Sequence, residues 1–322
     1  MPPYPSAGPA SEPPPGSVPT SPQYGYSTPD LPQPGLDPLI SVDYSGWWQR
    51  GMAIVKAGWP QLAALQVIGI GVALLVQVPF VVYVTVWGPA LADRYDTPAD
   101  ADLGPASVAL GLTLLGILLS GLVSAAITVA TMHLGLSIAS GATRRVGASA
   151  RYALRRTLPM VGWQVVAALI VLLGLCLCLL PALYPIAVFT ILPAVVAFER
   201  SNAIGRCFSL FNRSVDVAAG RIATILGISV VTSLVASIIG GVIERAAGAP
   251  TSLGMPIDVA AVSTSVQIAV GIATTAVSVV LAAAVAVLTG PLILLTYADL
   301  RARVEPLSTQ VLVSELERLR LS

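Results

Sequence analysis

The chain predicts an all-α, polytopic membrane protein with six transmembrane helices, both termini inside, and amphipathic helices lying at the interface. Three observations carry this expectation. Of the 322 residues 55% are hydrophobic and 10% charged, with mean hydropathy +0.83, whereas soluble domains carry about 25% charged residues. Five runs without Asp, Glu, Lys or Arg (57–92, 103–143, 157–198, 222–243 and 259–298) are each long enough for a bilayer crossing. Between two of them, residues 140–159 (SGATRRVGASARYALRRTLP) hold Arg144, Arg145, Arg151, Arg155 and Arg156 and no acid. Excess Lys and Arg in short loops sets orientation, so this segment is expected inside.

The elements follow in order. Residues 1–45 are rich in Pro, Ser, Gly and Tyr and contain no basic residue. They hold too little apolar surface to offset ordering entropy, so a disordered cytoplasmic head is expected. Residues 44–60 (YSGWWQRGMAIVKAGWP) combine Trp47, Trp48 and Trp59 with Arg50 and Lys56. That mixture predicts a short helix at headgroup level.

The first span is placed at about 63–88, anchored by Tyr83 and Trp87 and bent at Pro79. Asp93, Asp96, Asp100 and Asp102 then outnumber Arg94, so that loop reads as external. The 41 residues of run 103–143 have acids at one end and arginines at the other. Its ends face opposite sides and the crossing number is odd, giving one long span at about 106–132. The 42 residues of run 157–198 have arginines at both ends, so the crossing number is even. Pro181 and Pro185 supply a turn between spans at about 160–180 and 183–198, the second short and broken near Pro193.

Residues 199–221 place Ile204, Cys207, Phe208 and Phe211 at helical spacing, with Arg206 and Arg213 seven apart. An amphipathic helix on the inner leaflet is expected. Spans at about 222–243 and 268–297 complete the membrane domain (46–298). Residues 299–322 form an inner tail whose VLVSELERLRL reads as a short amphipathic helix.

The candidate sites are few. His133 is the single histidine, and the acids are confined to loops. Neither a metal cluster nor a His-based triad is easily assembled from them, so no catalytic residue, metal or cofactor is expected. Cys176, Cys178 and Cys207 read as small buried hydrophobes. The spans lack ionisable residues at depth, which argues against an ion-coupled carrier. Gln66, Gln77, Gln164 and Gln267 are expected to hydrogen-bond between helices. Glu199, Arg200, Asp299 and Arg301 follow Pro-containing span ends and predict a clasp, pairing with one another or with Arg206. No nucleic-acid footprint is visible at a net charge of +1.

Three segments, PLISVDYSGWWQRGMAIVKAGWPQLAAL, FERSNAIGRCFSLFNRS and GPLILLTYADLRARVE, together resemble a family of bacterial six-helix integral membrane proteins of unknown function. That family is related to the membrane domain fused to some glycerophosphodiester phosphodiesterases. The Tyr-x-Asp-x-Arg end of its sixth span is matched by Tyr297, Asp299 and Arg301, and the resemblance runs from about Leu39 to Glu317. It does not imply phosphodiesterase activity, because the soluble barrel with its His and acidic metal ligands has no counterpart here.

The expected function is a non-catalytic module of the cell membrane. It would bind lipid or a partner membrane protein through an inner basic rim of Arg144, Arg145, Arg151, Arg155, Arg156, Arg206 and Arg213. The alternative is an uncoupled permease or lipid-translocating protein, suggested by the Pro-broken fourth span.

Overall fold

Apolar runs of this length can cross a bilayer only as helices, because each satisfies its own backbone hydrogen bonds. The computed structural model describes residues 37–41, 43–95, 103–142, 145–200, 202–248 and 263–321, and among these there is no strand. The helices are α1 (Tyr44–Tyr95), α2 (Leu103–Ala139), α3 (Val146–Leu177), α4 (Leu179–Phe189), α5 (Leu192–Phe198), α6 (Ala203–Arg213), α7 (Val215–Ala246), α8 (Thr264–Ala302) and α9 (Thr309–Leu321). Six segments are long and apolar enough to cross a membrane: Tyr44–Tyr83, Leu114–Ala139, Val146–Leu177, Leu179–Phe198, Val215–Ala246 and Thr264–Ala302. The protein is a multi-pass membrane protein of six spans, as the parity of the charge-free runs predicts.

Local chemistry sets the boundaries. Asp43 starts α1 by accepting from the Gly46 amide at 3.1 Å. Gly141, with φ +68°, ends α2; bonds from Ala142 N to Ser137 O (3.0 Å) and from Gly141 N to Ile138 O (3.2 Å) close a Schellman turn. The Asn202 side chain caps α6 through Gly205 N at 3.2 Å. Between α3 and α4 the chain turns at extended Cys178, three residues before Pro181. The hairpin is tight at that turn: a Cβ on Gly174 would lie 3.0 Å from Ala182 Cα. The break before Pro193 also occurs, with Pro193 in the first turn of α5.

Several elements differ from expectation. The interfacial helix and the first span are one continuous helix, α1. Its first turns stand against α8 instead of lying flat, because buried Trp47 donates to Leu292 O (3.3 Å) and Thr296 Oγ1 (3.1 Å). Trp47 is therefore a core residue, while Trp59 is exposed. From Thr264 onward the last charge-free run forms one helix, α8, that extends beyond the expected span through Asp299 to Ala302. Cys207 is buried, but Cys176 and Cys178 are exposed near the hairpin turn.

Residues 1–36 of the expected head lie outside the described residues, as do Asp96, Asp100, Asp102 and Arg144. Residues 37–41, which the composition assigns to the head, are docked. Leu39 is buried, and Asp37 accepts from Thr309 N (2.8 Å) and Thr309 Oγ1 (2.6 Å) at the start of α9.

Helices α1, α2 and α8 pack against one another in the core. Gln66 on α1 donates to Thr131 on α2 at 3.2 Å, the interhelical bond expected of it. Gly290 on α8 lies against the Thr131 side chain, which leaves no room there for a Cβ.

Replacing Gly174 by Val should force the hairpin apart and cost about 1–3 kcal/mol by overpacking. Gly162→Ala, a site with nothing within 4 Å, should leave thermal unfolding in detergent unchanged or slightly improved. Equal melting temperatures for the two variants would contradict the close approach.

Candidate functional site: a basic cleft at one end of the bundle

The arginine-rich end is built on a buried ion pair. Arg221, near the start of α7, bonds through Nη1 to Asp299 Oδ2 on α8, and each residue is 1% exposed. Ser41 completes the arrangement. Its amide and hydroxyl donate to Asp299 at 2.6 and 2.7 Å, and Arg221 Nη2 donates to its Oγ at 3.2 Å. Arg221 Nη2 also reaches Asp43 O at 3.4 Å, and the guanidinium lies 5.8 Å from the Trp47 ring centroid. Both carboxylate oxygens are thereby satisfied, which a buried charge requires.

A second, shallower network surrounds Glu199. Arg206 Nε bonds Glu199 Oε2 at 2.9 Å and Arg206 Nη2 bonds Glu305 at 2.5 Å. Tyr297 donates to Glu199 Oε1 at 2.8 Å. Arg301 bonds Glu305 at 3.1 Å, approaches Glu199 at 3.9 Å and forks onto both Glu315 oxygens at 2.7 and 2.8 Å. Burial alone would lower the Arg206 guanidinium; its bonds to Glu305 and Glu199 outweigh that and hold it above its ordinary value. Burial would likewise raise Glu305, but Arg206 and Arg301 hold its carboxyl below the usual range. The Cys207 thiol is pushed up to about 12, by burial first and Glu199 second, so it is inert.

Beside this network a cleft of about 1000 Å³ opens between α3, the α5–α6 connection and α9. It is lined by Arg151, Tyr152, Arg155, Arg156, Pro159 and Trp163 on α3, by Glu199 and Arg200 opposite, and by Glu317 and Leu319. The α3 residues fall at three- and four-residue intervals and so share one face. Arg151, Arg155 and Arg200 are exposed. Arg156 is half-buried: its Nη1 reaches Glu199 O at 3.5 Å, and its buried Nη2 has no hydrogen-bond partner among the described residues. The Glu199 carboxylate is turned to Arg206 and Tyr297.

The cleft wall is held from behind by His133. Its Nδ1 lies 2.9 Å from Ser149 Oγ, and its ring sits 4.8 Å from that of Tyr152, whose hydroxyl donates to Ala197 O. The histidine thus joins α2 to α3 where α3 meets α5.

The predicted rim residues divide. Arg151, Arg155 and Arg156 converge on the cleft, Arg145 is exposed just before α3, and Arg144 lies outside the described residues. Arg206 turns inward into ion pairs, and Arg213 is exposed at the end of α6, away from the cleft. Of the clasp residues, Glu199 and Arg301 come together around Arg206 and Glu305, but Asp299 faces Arg221 and Arg200 faces the cleft. Arg221, Ser41, Tyr152 and Trp163 were not singled out from the sequence. The one available signal was Arg221 itself, a cation at the edge of an uncharged run. No protein-family model, curated protein or solved structure matches this chain.

Asp299→Ala should strand Arg221 without its counter-charge and cost about 3–5 kcal/mol, whereas Arg221→Met with Asp299→Leu should recover most of that loss. Melting temperatures of the three proteins in detergent check this, and a double variant no better than the single would contradict it. Glu305 has a depressed pKa, so its contribution is present above its ordinary carboxylate value and is lost as pH falls through the native value. The group is partly exposed, so the effect is under about 1 kcal/mol. Glu305→Gln should flatten the acid limb of a stability–pH curve and leave the neutral-to-alkaline shape alone.

Proposed function

We propose that the protein is a non-catalytic module of the cell membrane that faces the cytoplasm with its basic end and holds an anionic lipid headgroup in the α3–α5–α9 cleft. The observation that carries this reading is the convergence of Arg151, Arg155, Arg156 and Arg200 on one opening, with a buried guanidinium nitrogen on Arg156 that has no hydrogen-bond partner among the described residues. Trp163 and Pro159 continue the same face of α3 toward the apolar part of the helix. A basic pocket between helices, floored by an aromatic residue at interface depth, is the arrangement that captures anionic headgroups from the adjoining leaflet. The same excess of arginine supports the cytoplasmic orientation of this end and of both termini.

Changing all four arginines to Gln should reduce anionic lipid retained by the purified protein at least about tenfold, since each basic residue near an anionic surface contributes about 1 kcal/mol. Native mass spectrometry reads the retained masses. Unchanged retention in a variant that still melts cooperatively would contradict the reading.

A second reading, an uncoupled permease or lipid-translocating protein, has its own observation. A groove of about 350 Å³ on α1, α2 and α8 is lined by Gln66, Gln77, Ser124, Thr128 and Thr131 amid apolar surface. Protein-dependent movement of lipid or solute across reconstituted vesicles would favour it.

A further inference from the structure

The balance of charge in the cleft carries the ligand assignment further. Four arginines line it against two carboxylates. Glu199 spends its oxygens on Arg206 and Tyr297, so Glu317 is the lining acid that makes no ion pair among the described residues. Three positive charges therefore stand in excess at the opening. Arg151 and Arg155 lie one turn apart on α3, a rise of about 6 Å, and Arg200 approaches from the opposite wall. Donors arriving from two sides on different levels suit a headgroup with several anionic oxygens.

Resting on the lipid reading above, we propose that the cleft selects a lipid whose headgroup carries two negative charges on phosphate, in preference to a singly charged phosphodiester. A zwitterionic headgroup would bring its own cation into a site that already has a surplus. A monoanion would leave two of the three surplus charges unmet, and a dianion leaves one. The wall itself is suited to fixed recognition, because Tyr152 is buried on His133 and tied to Ala197 O. Arg156 Nη1 reaches Glu199 O, and its buried Nη2 has no hydrogen-bond partner among the described residues.

The test uses the full-length protein in mixed micelles holding phosphatidylcholine, phosphatidylglycerol, phosphatidate and cardiolipin at equal mole fractions. Retained lipid is identified by native mass spectrometry. Phosphatidate and cardiolipin should each exceed phosphatidylglycerol about fivefold at about pH 8, the factor expected for one further charge met at the site. The phosphatidate advantage should shrink at about pH 5.5, below the second ionisation of a phosphomonoester, while that of cardiolipin should persist. Equal retention of phosphatidylglycerol and both dianionic lipids would overturn the charge selection and leave the lipid reading standing. Retention of phosphatidylcholine equal to all three anionic lipids would overturn both.

Arg155→Gln combined with Arg156→Gln, which leaves a single surplus charge, should erase the preference. Glu317→Gln, an exposed change that tests the charge count without threatening the fold, should raise dianion occupancy about twofold by removing a competing carboxylate. A fall on Glu317→Gln would contradict the proposal. Inorganic phosphate at about 10 mM should leave phosphatidate bound, since the acyl chains add affinity through buried CH₂ groups. Complete displacement at that concentration would overturn the lipid assignment in favour of a soluble phosphate.

Discussion

Arg221 and Asp299 meet where almost no water reaches either of them, and the architecture of the basic end depends on that meeting. A buried ion pair is tolerated only when the remaining lone pairs and protons are met. Here they are met by Ser41, by the Asp43 carbonyl and by the face of Trp47. Ser41 and Asp43 lie just before α1 and Trp47 in its first turn, so the pair joins three stretches of chain far apart in sequence. It sets α7 beside α8 and holds residues 37–41 in place. Through Asp37 it also brings that segment to the start of α9. The position of α9, which lends Glu317 and Leu319 to the cleft, is thus linked through residues 37–41 to the Arg221–Asp299 pair.

Seven arginines of this end fall into two classes by what acids they find. Arg206, Arg221 and Arg301 are neutralised by Glu199, Glu305, Glu315 and Asp299, and they build structure. Arg151, Arg155, Arg156 and Arg200 line an opening in which Glu199 is already engaged, and their surplus charge is what the proposed headgroup would meet. The division has a physical origin. The acids follow the ends of the fourth and sixth spans, while the α3 arginines extend along a helix that carries no acid at all.

The span count was legible because charge asymmetry across an uncharged run decides odd from even crossings without any reference to packing. The helical hairpin between α3 and α4 and the break before α5 were legible through Pro181 and Pro193. What composition could not supply was which face of a helix finds a partner. Trp47 and Trp59 have the same chemistry in sequence, yet one is buried against α8 and the other is exposed. Residues 37–41 share the composition of the head but dock, because a few side chains, Asp37, Leu39 and Ser41, find partners 258 and 272 positions away in the case of the two polar ones. The rim was legible as a basic segment, but its reduction to a cleft needed the fold: Arg206 turns inward, and Arg200, expected in a clasp, joins the α3 arginines. Pairings at that range leave no local trace.

A cryo-electron microscopy map of the protein in nanodiscs made with native anionic lipid tests the central claim most directly. The account predicts headgroup density between Arg155, Arg156 and Arg200, with acyl density running along α3 past Trp163. A cleft filled only by solvent, with ordered anionic lipid confined to other faces of the bundle, would contradict it.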